Sequence, residues 1–175
     1  AGTDEGPGQE IYLDGYWIYK YPVTAGEYKR FCGTTGEEFK PPWPQNKKAG
    51  PEGDADNYAV ITNWYEARRY ARWAGARLPT EAQWEKAARG TDGRAYPWGN
   101  QWDPDKCVSM ENTLYEFNEG FRPVGSHPEG AGPYGVMDMA GNTFEWTRDW
   151  YDYDYYQDCP TKNPPGPETG ANKVV

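Results

Sequence analysis

Three short stretches of this chain open like helices and are each closed by a glycine within a few turns, and that punctuation limits its fold more than any other feature. Thr24 with Glu27, Asn63 with Glu66 and Thr80 with Gln83 each set an oxygen-bearing cap ahead of a side chain able to reach back to it. Asn63 is an atypical box residue but a good cap. The spacing predicts helices over about Ala25–Cys32 with Gly33 as the stop, Trp64–Ala74 with Gly75, and Glu81–Arg89 with Gly90. Trp64, Ala67, Ala71 and Ala74 recur at helical spacing as a buried face, and Trp84, Ala88 and Trp146 are expected in the core. Glu10 to Tyr21 alternates apolar and polar positions as a strand does, and Asn142 to Trp150 does so more weakly.

Between these segments the chain turns constantly. It holds 21 Gly and 16 Pro, while 9 Trp and 15 Tyr supply much of the apolar surface, so a core must be built from rings more than from aliphatic runs. Lys40 to Val60 and Cys159 to Lys173 are dense in Pro and Gly and read as long surface loops, not domain linkers. At 175 residues, with no fixed-period repeat, residues 1–175 are expected to form one domain. A net charge of −9 argues against nucleic acid or an anionic membrane as partner, because both require clustered cations. No apolar run reaches membrane-spanning length and no signal peptide opens the chain, which excludes membrane insertion for the residues given. A mature secreted protein has the same look, and an extracytoplasmic or secreted setting is favoured.

The usual enzyme signatures are missing. There is no nucleophile elbow, no phosphate-binding glycine loop and no histidine pair for zinc; the one histidine, His127, lies in a loop where a lone imidazole is more often a surface group than a base. Glu81 and Glu85 share a helix face, which in so acidic a chain is weak evidence for acid/base work. Cys32, Cys107 and Cys159 form no metal-binding pair and read as buried small hydrophobes, though a disulfide between two of them stays open. Asp149 to Asp158 alternates tyrosines with aspartates, a solvated aromatic loop or an adhesive face.

The segment Asp138 to Trp150, DMAGNTFEWTRDW, carries the most chemistry. Asp138 and Glu145 supply carboxylates, and a tight turn through Gly141 and Asn142 can aim the Gly141 and Thr143 carbonyls at the same point. Calcium takes six to eight oxygens of this kind. The same residues also suit a plain turn into an aromatic strand, with both carboxylates solvated.

Taken with RLPTEAQWEKAARG (Arg77 to Gly90), YPWGN (Tyr96 to Asn100), YKYPVTAGEYKRF (Tyr19 to Phe31) and PYGVMDMAGNTFEW (Pro133 to Trp146), the segment resembles the formylglycine-generating, sulfatase-modifying-factor family over most of the chain. The resemblance implies an α+β, C-type-lectin-like fold, loop-rich with short helices and few strands. It implies two calcium ions, one held by Asp138, Gly141, Thr143 and Glu145 and one by Asn112, Thr113, Glu119 and Phe121. The family oxidises a substrate cysteine to formylglycine with molecular oxygen, using copper(I) on two cysteines that follow an RGGSW-type segment. None of Cys32, Cys107 and Cys159 occupies the matching position, so the chain is expected to lack the family's C-terminal segment, as well as its first strand, and to hold copper only if that segment is present. What the resemblance then implies is a calcium-stabilised, non-catalytic binding or structural module with another protein as partner. Two alternatives are the scaffold part of a copper-dependent oxidase and a ligand-displaying variable protein on the same scaffold.

Overall fold

A computed structural model describes residues 9–41, 55–109 and 121–175. Within them the regular structure is four α-helices, α1 (Ala25–Thr35), α2 (Trp64–Trp73), α3 (Glu81–Arg89) and α4 (Tyr155–Asp158), with short 3-10 turns at Ala55–Asn57, Pro104–Lys106 and Pro128–Gly130. All three capping boxes form in both directions, so each of these helices starts at the residue that its cap predicts. α3 ends at Gly90 as expected, and α2 ends one residue early, with Ala74 as its cap and Gly75 following at φ 71°.

α1 does not stop at Gly33. It continues to Thr35 and closes on Gly36, whose φ of 75° is the left-handed conformation that glycine adopts most cheaply. Thr34 and Thr35 donate their hydroxyls back to the Phe31 carbonyl, both at 2.9 Å, and carry the helix past the glycine. A glycine inside an exposed turn weakens a helix without ending it.

The helices pack through rings. Tyr28, Phe31 and Cys32 of α1 close against Tyr70 of α2, with ring centroids 5.2 Å apart for Tyr28–Phe31 and 5.7 Å for Phe31–Tyr70, the latter edge-on. Tyr70, absent from the expected α2 stripe, is its buried anchor alongside Ala71, while Trp64, Ala67 and Ala74 are half-buried. A second cluster joins Ala87 and Ala88 of α3 to Val136 and Met139, with Ile18 and Trp84 packed on its edge. Trp84 and Trp146 are thus half-buried, not interior, because each turns its indole N–H to an acceptor and leaves part of the ring outside.

Neither expected strand forms a ladder among the described residues. Glu10 to Tyr21 makes only an isolated parallel bridge from Tyr12 to Lys162; its other backbone bonds go to scattered loops, such as Met137 donating to the Lys20 carbonyl at 2.8 Å. Alternation marks a half-buried extended segment, but a strand also needs a neighbour in register. Residues 147–151 come nearer, exchanging bonds with Asn172 and Val174 around the antiparallel bridge Trp150–Lys173. Cys159 to Lys173 is a loop as expected. Between the two clusters lies a hollow of about 1660 Å³, lined mostly by apolar side chains including Ile18, Trp84, Met139 and Trp146.

Candidate functional site

The turn from Asp138 to Glu145 is shaped by three positive φ angles, 59° at Asp138, 84° at Gly141 and 63° at Asn142. Gly141 is required twice over: its φ is left-handed, and a Cβ there would run into the Val108 carbonyl oxygen, against which Gly141 forms a parallel bridge. The turn is pinned as Asn142 N donates to the Val108 carbonyl at 3.0 Å and Thr143 N to the Gly141 carbonyl at 2.8 Å. The Asn142 side chain then pairs with both backbone groups of Arg122, each at 3.2 Å, which brings the loop beginning at Phe121 onto the turn. Of the second expected ligand set, Phe121 is therefore placed beside the first; Asn112, Thr113 and Glu119 lie outside the described residues.

Both carboxyls of the turn are desolvated. Asp138 Oδ2 accepts the Gly125 amide at 2.7 Å, yet burial still pushes its pKa up. Glu145 goes further: burial first, and the nearby Asp138 charge in addition, push it up to about 7 against the pull of one hydrogen bond from the Trp84 indole at 2.6 Å. Two neighbouring carboxyls withdrawn from water, with few donors, either hold a proton or need a cation to compensate their charge. Among the described residues no three His, Cys, Asp or Glu side chains converge on one point, so a cation here would complete its shell with backbone carbonyls and water. Such an all-oxygen set fits calcium, and the Gly141 carbonyl has a second lone pair beyond its bond to Thr143.

The three thiols lie in separate surroundings. Cys32 is packed among the α1–α2 rings, and Cys159 donates to Gln9 Oε1 at 3.2 Å. Burial pushes both thiols up, away from the thiolate form that a soft metal binds. Cys107 is buried on the wall of the hollow, and no disulfide joins any of the three. His127 sits in its loop with Nδ1 2.8 Å from the Asp105 carbonyl.

Sequence reading missed the partners of these acidic groups. Glu85 pairs with Arg89 at 2.7 Å, whereas Glu81 turns inward: its carboxylate accepts the Tyr156 hydroxyl at 3.2 Å, and its amide donates to buried Asp149 at 3.1 Å. That arrangement anchors the start of α3. The Trp84–Glu145 bond spans 61 residues and no local pattern signals it.

Comparison with known proteins finds relatives along the whole chain. Residues 1–175 match the sulfatase-modifying factor enzyme 1-like domain. The formylglycine-generating enzyme of Streptomyces coelicolor is 39% identical over 75% of this chain and 45% of its own length. That of Thermomonospora curvata is 32% identical over 98% of this chain and 73% of its own length. The serine/threonine-protein kinase pkn1 of Chlamydia caviae is 35% identical over 98% of this chain, which spans only 29% of that kinase. The chain thus covers less than half of the Streptomyces and Chlamydia relatives. With a match along its whole length and the family's turn and helix motifs in place, the chain belongs to the sulfatase-modifying factor enzyme 1-like domain family.

Proposed function

We propose that this chain is a calcium-stabilised, lectin-like member of its family that serves as a non-catalytic binding or structural module for another protein. The observation that carries the calcium reading is Glu145, a desolvated carboxylate with the Asp138 carboxylate close enough to raise its pKa further and an indole as its donor. Asp138, Gly141, Thr143 and Glu145 would hold the ion, which would supply charge compensation and lock the turn. The non-catalytic reading is supported by thiols held in separate environments, two of them pushed toward the protonated form. A metal bound only by the folded state stabilises it by mass action, by about 2.7 kcal/mol when free calcium is about a hundred times Kd. Melting curves with and without a chelator test this: chelation should lower the melting temperature, and Asp138→Ala should remove the difference. An unmoved curve, with no calcium found by elemental analysis, sinks the reading.

A second reading is favoured by the hollow. Trp17, fully exposed, and Phe144, 88% exposed, lie along an apolar space of about 1660 Å³, an arrangement that would be covered in a larger assembly. In this reading the chain is the scaffold part of a formylglycine-generating oxidase whose copper-binding thiols lie elsewhere in a longer protein. Incubating the longer protein that this second reading requires, beside the 175 residues alone, with copper(I), oxygen and a cysteine-containing peptide separates the two. Aldehyde formation seen by mass spectrometry overturns the non-catalytic reading.

A further inference from the structure

A carboxylate offers two oxygens, and in both acidic residues of the turn the protein takes one. Asp138 Oδ2 receives the Gly125 amide at 2.7 Å and Glu145 Oε2 receives the Trp84 indole N–H at 2.6 Å. The two donors differ in kind. A backbone amide follows its loop, but the indole has a single N–H whose direction is set by the whole ring. That ring stands on α3 and packs against the cluster of Ala87, Ala88, Val136 and Met139, so its aim is fixed by a helix and a core. The bond is 2.6 Å long. Glu145 is flexible by nature, and nothing in the Asp138 to Glu145 segment itself orients its carboxyl.

We propose that Trp84 is a positioning residue for the cation site, holding Glu145 by Oε2 so that Oε1 alone is presented to the ion. This inference rests on the calcium reading above. It couples α3 to the turn: calcium binding and the packing of α3 become one equilibrium, with the indole as the link. Partners that orient metal ligands from behind typically contribute about 10- to 100-fold in affinity.

The test is calorimetric titration of calcium into chelator-treated protein, wild type against Trp84→Phe, which keeps an aromatic ring and removes the donor. Calcium affinity should fall about 10-fold. Because the variant also perturbs packing, a measurement on the wild type stands beside it. In a nitrogen-proton NMR spectrum the Trp84 indole proton should exchange slowly with solvent, lose that protection in Glu145→Ala, which removes the acceptor, and shift during calcium titration with the calorimetric midpoint. If the wild type binds calcium while Trp84→Phe binds equally well, or while the Trp84 indole exchanges freely, the positioning role is overturned and the calcium reading stands. If the wild type binds no calcium, both fall together.

Discussion

The Trp64 indole donates to the Thr147 carbonyl at 2.8 Å, tying the first residue of α2 to a segment 83 positions further along the chain. The reverse bond is also made, from the Trp146 indole to the Thr62 carbonyl at 2.8 Å. Two tryptophans thus stitch the start of α2 to residues 146–147 where a sheet would have used a ladder. Each ring covers apolar surface while its one polar atom is satisfied, which is how a chain so short of aliphatic residues holds its loops.

Phe31 is the most completely buried large side chain among the described residues, 2% exposed, with Tyr28, Tyr70 and Trp73 around it. Phe31→Ala should destabilise the protein by about 3–5 kcal/mol. A denaturant midpoint close to that of wild type would show that α1 and α2 are not joined through this ring.

Lys173 Nζ lies 3.7 Å from the Trp150 ring centroid and 4.2 Å from that of Trp64, and it donates to the Arg148 carbonyl at 2.8 Å. Lys173→Met keeps the length and loses the charge, and should cost about 1–2 kcal/mol. Faster amide exchange at Val174, whose N–H bonds the Asp149 carbonyl, is the local readout.

Burial pushes both Glu81 and Asp149 upward from their ordinary values. A carboxyl with a raised folded pKa binds its proton more tightly folded than unfolded, so stability falls as pH rises from the unfolded value through the folded one. For Glu81 that fall begins near pH 4.5, its ordinary value. Glu81→Gln, which has no proton to lose, should flatten the decline in denaturant-derived stability between pH 4.5 and neutrality. An unchanged slope would place the titration elsewhere.

Gly141→Ala combines a φ of 84° with a clash on the Val108 carbonyl. It should cost more than about 1 kcal/mol, the level at which alanine in a left-handed site begins to hurt, and should weaken calcium binding as the turn moves. Thermal melts with and without calcium measure both effects.

The starts of α1, α2 and α3 were legible in the sequence, because a capping box joins residues only three apart; α4, inside the tract read as an aromatic loop, starts without a side-chain cap and was not. The end of α1 was not, since Gly33 fits a helix interior as well as a stop, and the back-bonding threonines decided between them. The acidic turn was legible as a group of oxygens, with Gly141 fixed by its own backbone demand. What only the tertiary structure decided was which of those oxygens are desolvated and what faces them. Strand pairing, the Tyr70 anchor and the Trp84–Glu145 bond all depend on segments far apart in the chain. Local propensity acts within a turn or two, while burial and hydrogen-bond partnership are settled only when loops dozens of residues apart close on one another.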